Sequence, residues 1–233
     1  MFQMSITAPG GGDPPDRMAE PVLARVQPPV PGRVPARLPP HGAFQRIGLF
    51  GGTFNPPHDG HRLVSTTALK RLGLDAVWWL VTPGNPLKEN AGLPPLAVRM
   101  AAAQAVAAHP RIIVTGVEAE IGTRYTYDTV RYLTLRCPTV RFVWLMGADN
   151  LVGFHRWQRW QDIASLIPIA VIDRPQSTLK GAHSRASAWL APHRIDEGDS
   201  SILPDLKAPA FTFLHGPRSD LSSTALRAAG RTL

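Results

Sequence analysis

Cysteine is almost missing from this sequence: its 233 residues carry a single one, Cys137. That excludes an internal disulfide framework, and no Cys/His cluster has the spacing of a structural zinc site. Long apolar runs are missing too. No stretch approaches the roughly 18 to 20 uninterrupted apolar residues that a membrane span needs, and the N-terminus lacks the apolar core of a secretory signal. A soluble protein of the reducing cytoplasm, with no membrane partner, is expected. Acidic residues are the third shortage, since 17 Asp and Glu stand against 25 Lys and Arg for a formal net charge of +8. Such a balance favours polyanionic partners, from nucleotides to nucleic acid or acidic membrane surfaces, and taken alone it fits an arginine-rich soluble surface equally well.

What is present divides the chain in two. Residues 1–43 hold 10 of the 24 prolines and little hydrophobic periodicity, so they cannot bury enough apolar area to offset the entropy of ordering and are expected to form a disordered tail. From residue 44 to 233 the texture is that of one domain. Short apolar runs at Ile47–Phe50, Val77–Val81, Ile112–Val114, Val140–Leu145, Ile169–Ile172 and Phe211–Leu214 read as strands buried on both faces. Helical patterns at His61–Leu72, Leu96–Ala108, Thr126–Arg136 and Phe154–Leu166 separate the earlier ones. Alternation of this kind implies crossover helices and a doubly wound α/β domain with a parallel sheet, closed by a short C-terminal helix from about Ser222. Residues 176–208 are weakly patterned and read as an irregular excursion. No internal repeat is apparent.

Ligands of an open parallel sheet bind beyond the carboxyl ends of the strands, which directs attention to the first strand-to-helix turn, GGTFNPPHDGH, Gly51 to His61. It is neither a Walker A loop nor a G-x-G-x-x-G fingerprint. Its two glycines let backbone N–H groups approach a phosphate, and the helix that follows adds a partial positive charge. His58 and His61, three apart at the start of that helix, project on one face and can donate to the same anion. A metal pair or a simple helix cap is the competing reading, although a zinc-protease pair would need His at i and i+4 with a Glu. Gly60, between the histidines, allows close approach of backbone or ligand.

A second anion grip is suggested near the other end by SDLSSTALR, where Ser222, Ser223 and Thr224 suit a helix start and Arg227 lies one turn on. Taken alone it is ordinary helix capping. Paired with the first motif it is half of a site.

The pair resembles the HxGH superfamily of nucleotidyltransferases, with a Rossmann-like fold. Thr82-Pro83-Gly84-Asn85-Pro86-Leu87-Lys88, Tyr125-Thr126-Tyr127-Asp128-Thr129 and Gly147-Ala148-Asp149-Asn150-Leu151 leading to Phe154-His155-Arg156-Trp157 are similar to the nicotinate-nucleotide adenylyltransferase branch. The resemblance runs from Arg46 to the end. It implies adenylyl transfer from ATP to nicotinate mononucleotide, giving deamido-NAD and pyrophosphate in NAD biosynthesis, with Mg2+ accompanying ATP. It implies His58, His61 and Arg227 as catalytic groups, and Gly51, Gly52, Thr53, Phe54, Ser222, Ser223 and Thr224 beside them on ATP. Asn55, Lys88, Tyr125, Thr126, Asp149 and Trp157 fall to nicotinate mononucleotide: Trp157 stacks on the pyridine, Asp149 takes ribose hydroxyls, and Lys88 holds a phosphate. On periodicity alone Trp157 with Trp160 reads as core, and so do Trp78 and Trp79. Arg174-Pro175-Gln176 has Gln where this family usually has glycine.

Two alternatives remain at this level. One is another member of the superfamily, such as a phosphopantetheine adenylyltransferase, against which Tyr125 to Thr129 and Trp157 speak. The other is a non-catalytic nucleic-acid-binding module, which would need no histidines; no nucleic-acid partner is expected, and a homo-oligomer is possible.

Overall fold

A computed structural model describes residues 36–84, 92–173, 184–216 and 223–230. Six strands, β1 (Arg46–Gly52), β2 (Ala76–Val81), β3 (Ile112–Thr115), β4 (Arg141–Gly147), β5 (Ile169–Ile172) and β6 (Phe211–Leu214), form one sheet in the order β3-β2-β1-β4-β5-β6. Every pairing is parallel. The chain therefore builds outward from β1 in one direction, then returns to β1 and builds outward in the other. That reversal places the topological switch point between β1 and β4, where a doubly wound sheet opens a crevice at its carboxyl edge. The expected fold class is the observed one.

The apolar runs bury both faces because alternate side chains point to opposite sides. Trp78 belongs to one core cluster, with Leu49, Trp144 and Phe154, and its neighbour Trp79 to the other, with Phe50, Phe54 and Leu145. Both indoles are fully buried, as expected of core.

The helices are α1 (Asp59–Arg71), α2 (Leu96–Ala107), α3 (Val117–Ile121), α4 (Thr126–Arg136), α5 (Ala148–Phe154), α6 (Trp160–Leu166), α7 (Arg185–Leu190) and α8 (Ser223–Ala228), with 3-10 turns at Ala191–His193 and Glu197–Asp205. One expectation needs correction: Phe154–Leu166 is not one helix. The chain leaves α5 at His155 and enters α6 through Arg159, whose φ of 54° is left-handed. Two contacts hold that conformation, an ion pair from Arg159 Nε to Asp162 Oδ2 at 2.6 Å and stacking of the guanidinium on the Tyr127 ring at 3.8 Å. Tertiary contact overrides local helical pattern there, with no Gly or Pro to announce the break.

The packed region also reaches back before residue 44. Ala36 and Leu38 lie against the first core cluster, the Arg37 N–H donates to Glu120 Oε2 at 2.8 Å, and the His41 ring stands edge-on to Trp78 at 5.6 Å. Among residues 176–208 the described part, from Ser184, is more regular than expected. Arg194 and Ile195 run along β6, and Asp205 receives Arg46 and Arg141 at 2.5 Å each. Among the described residues, no helix is long and apolar enough to cross a membrane.

Candidate active site

Strand β1 runs two residues further than its apolar core, so Gly51 and Gly52 are its last residues, paired with Leu80 and Val81 of β2. The two glycines differ in what they permit. A Cβ on Gly51 would lie 2.9 Å from Trp144 Cη2 of β4, so packing across the switch point forbids a side chain there. A Cβ on Gly52 would meet only Phe54, at an ordinary 3.4 Å, which leaves close approach of a ligand as the reason for glycine at that position.

Phe54 turns the chain with a left-handed φ of 48°, a conformation unusual for a non-glycine residue and one that gathers at functional sites. Its ring is buried, stacked on Trp79 at 4.9 Å and beneath His61 at 4.8 Å. Only its backbone can face a ligand. The Thr53 carbonyl accepts from Arg99 Nη1 at 2.8 Å. Since C=O and the following N–H point oppositely across a planar peptide, the Phe54 N–H is aimed away from Arg99.

His58 is the N-cap of α1 and His61 its third residue, so the helix begins two residues earlier than expected. Their rings lie 3.9 Å apart between centroids, and both are buried, at 5% and 9% exposure. The His58 N–H donates to His61 Nδ1 at 3.2 Å. That contact fixes the tautomer of a neutral His61: Nδ1 accepts, so Nε2 carries the proton and is the donor. Ser65 anchors the helix beneath, giving its hydroxyl to the His61 carbonyl at 2.9 Å and accepting Trp79 Nε1 at 2.7 Å.

The C-terminal motif meets this turn. Ser223 Oγ donates to the Pro56 carbonyl at 2.9 Å across 167 residues of sequence, and Arg227 Nη1 donates to the Asn55 carbonyl. Arg227 is exposed. The two motifs, each ambiguous alone, are thereby one cluster of donors. Ser222, the Thr224 side chain, Lys88 and Gln176 lie outside the described residues.

The remaining expected residues sit along the same edge of the sheet. Asp149 is in the first turn of α5, directly beyond the carboxyl end of β4, and exposed. Trp157 lies in the α5–α6 connection, partly exposed, with its ring edge-on to Trp144 at 6.0 Å and to Phe154 at 5.3 Å. It is both core wall and open face, so neither reading of it from sequence is complete. Tyr125 caps α4 and Thr126 opens it; Tyr125 is 40% exposed. Asn55 is half-buried, with Oδ1 facing no hydrogen-bond partner.

Two buried residues at this edge were not foreseen. Arg99, 1% exposed, reaches four carbonyls: Pro94 at 2.8 Å, Thr53 at 2.8 Å, Thr82 at 2.7 Å and Pro83 at 3.3 Å. Burial lowers its pKa from the usual guanidinium value. Glu118, 6% exposed, has its carboxyl pushed up by burial, against the downward pull of hydrogen bonds with Thr82 and Thr129. One signal was available: Arg99 is the sole charged residue of α2, a helix apolar at every other position but Gln104. Nothing local marks Glu118.

The donor set consists of imidazole, guanidinium, hydroxyl and backbone N–H groups, which suits anions. Among the described residues, no group of three or more His, Cys, Asp or Glu could hold a metal ion.

Known proteins resemble the chain over this same region. A cytidylyltransferase-like family model matches residues 49–229. A Bradyrhizobium sp. (strain ORS 278) protein named "Probable nicotinate-nucleotide adenylyltransferase" is 58% identical over 182 residues, 78% of this chain and 95% of the relative. A Methylorubrum extorquens (strain PA1) protein of the same name is 60% identical over 182 residues, 78% of this chain and 98% of its own. Among solved structures, Plasmodium falciparum nicotinic acid mononucleotide adenylyltransferase complexed with NaAD superposes with a TM-score of 0.59, at 18% identity and covering 79% of this chain and 83% of that one. At that identity the likeness shows the fold. The extent and level of the sequence matches show the rest: the chain belongs to the cytidylyltransferase-like family and, within it, to the nicotinate-nucleotide adenylyltransferases.

Proposed function

We propose that this protein transfers the adenylyl group of ATP to nicotinate mononucleotide, forming deamido-NAD and pyrophosphate as a step of NAD biosynthesis. The observation that carries the proposal is the docking of Ser223 and Arg227 on the Asn55-Pro56 backbone beside two histidines whose rings lie 3.9 Å apart, in a chain 58% identical to a relative named for this activity.

The chemistry asks little covalent work of the protein. The phosphate monoester of nicotinate mononucleotide is ionised at neutral pH and attacks the α-phosphorus of ATP in line, while the bond to the pyrophosphate oxygen breaks. No Ser or Cys nucleophile and no strong base are needed. Catalysis rests on positioning and on donors aimed at charge that grows in the transition state.

His61 Nε2–H, its tautomer set from the other side of the ring, is the transition-state donor, and His58 binds the ATP phosphates beside it. The backbone of Gly51, Gly52, Thr53 and Phe54 lines the path between donor and acceptor phosphates. Arg227 takes charge on the departing pyrophosphate, with Ser222, Ser223 and Thr224 at its helix start. On the acceptor side, Trp157 offers a stacking face, the start of α4 at Tyr125 and Thr126 meets the nicotinate carboxylate, Asp149 takes ribose hydroxyls, and Asn55 and Lys88 hold the mononucleotide's polar groups. Mg2+ accompanying ATP would be held by the nucleotide's phosphates and would offset charge on the leaving pyrophosphate. Residues 44–233 constitute the catalytic domain, with Ala36 and Leu38 packed against its core. The enzyme works in the cytoplasm, without a nucleic-acid partner, and self-association into a homo-oligomer is compatible with this site.

Pyrophosphate release from ATP with nicotinate mononucleotide, nicotinamide mononucleotide or phosphopantetheine tests the assignment. Highest kcat/KM with nicotinate mononucleotide is expected. Turnover with phosphopantetheine alone would contradict it.

A further inference from the structure

Arg99 and Glu118 are buried ionisable groups that the transfer mechanism leaves unused, and they stand on either side of Thr82. From the phosphate turn the connection runs through the Thr53 carbonyl to Arg99 Nη1, and from Arg99 Nη1 to the Thr82 carbonyl at 2.7 Å. The Thr82 side chain acts on the Glu118 carboxyl, drawing it down against the effect of burial. Beyond it, Thr129 Oγ1 lies 3.1 Å from Glu118 Oε1 and 3.3 Å from the Tyr125 carbonyl. The loops following β1, β2 and β3 are thus joined at the sheet edge through half-buried Thr82 and the buried side chains of Arg99, Glu118 and Thr129.

The hydroxyls are shared between partners, each with one hydrogen to give. Thr82 gives its hydrogen to the Gly84 carbonyl at 2.9 Å. Thr129 Oγ1, with Thr123 Oγ1 at 2.9 Å, faces two acceptors, Glu118 Oε1 and the Tyr125 carbonyl, and so bridges the carboxyl to the start of α4. Burial pushes the Glu118 carboxyl up, against the downward pull of the Thr82 and Thr129 hydroxyls.

We propose that the buried Arg99–Thr82–Glu118–Thr129 network is a positioning device: it sets the Tyr125–Thr126 edge relative to the phosphate turn and thereby determines affinity for the acceptor mononucleotide. None of the four touches substrate; they act through the backbone of Thr53, Thr82, Gly84 and Tyr125. The inference rests on the acceptor reading given above. A glutamine at 118 keeps the size of the side chain and an acceptor at Oε1 for Thr129. An alanine leaves the fully buried Thr129 hydroxyl without its Glu118 partner.

Steady-state kinetics on the full-length Glu118→Gln, Glu118→Ala, Thr129→Ser and Thr129→Val proteins test it. The Gln and Ser variants are expected within about twofold of wild type. The Ala and Val variants should raise KM for nicotinate mononucleotide about tenfold, with KM for ATP within about twofold. Equal rises in both KM values, a Gln variant as impaired as Ala, or unchanged kinetics throughout would overturn the proposal. If Glu118→Ala fails to fold, the Thr129 pair decides, since valine keeps the shape of threonine and loses only the hydroxyl. Wild-type turnover with a different mononucleotide would remove the acceptor reading alone, and the variant ratios measured with that acceptor would still judge the network.

Discussion

The two sides of the site are built in different ways. The phosphate side is local: Gly51 to His61 is one continuous turn, closed by the single docked helix α8. The proposed acceptor side is dispersed over α4, α5 and the α5–α6 connection, and buried side chains of α2 and α3 lie between its α4 edge and the phosphate turn. A local site places its donors through its own backbone and tolerates distant change. A dispersed one depends on residues that never meet the ligand.

The sharpest break in this comparison is expected on the local side. His61→Ala should lower kcat by about a hundredfold to a thousandfold, the loss typical of one transition-state donor, with KM for nicotinate mononucleotide near wild type. A near-normal kcat would remove His61 from the chemistry. Gly51→Ala attacks the joint between the sides, because its methyl would press on Trp144. A loss of about 1–3 kcal/mol in denaturant unfolding is expected, against a much smaller loss for Gly52→Ala, whose methyl has room. Equal losses would mean that Trp144 yields freely.

Trp157→Leu sharpens the acceptor side, keeping apolar bulk against Trp144 and Phe154 while removing the stacking face. KM for nicotinate mononucleotide should rise about threefold to tenfold with KM for ATP unmoved, in keeping with the energy of an aromatic stack. The smallest effect concerns pH. The folded chain holds the Glu118 proton above the pH at which the unfolded chain releases it. This contribution to stability is complete below the ordinary carboxylate range and is lost as pH rises through the raised value. Glu118→Gln should therefore flatten the decline of Tm with rising pH across that window; parallel curves for both proteins would contradict a raised carboxyl.

What was legible in the sequence follows the same division. The strands were readable because burial on both faces makes each a continuous apolar run, and only their ends moved, as with Gly51 and Gly52. The turn from Gly51 to His61, proposed above to hold phosphate, stood out because its residues are adjacent. The break between α5 and α6 was not: Arg159 adopts its left-handed conformation for contacts with Asp162 and Tyr127, and the latter is 32 positions away in the chain. Glu118 was invisible for a related reason, since its partners Thr82 and Thr129 come from two separate elements. Arg99 left a trace as a lone charge among alanines, but its four carbonyl partners belong to two loops that only the folded sheet brings together.

The most direct measurement of the central claim is identification of the products formed from ATP and nicotinate mononucleotide by the purified protein. Attack at the α-phosphorus predicts deamido-NAD and pyrophosphate in equal amounts, with no ADP. Formation of ADP, or of pyrophosphate without a dinucleotide, would contradict it.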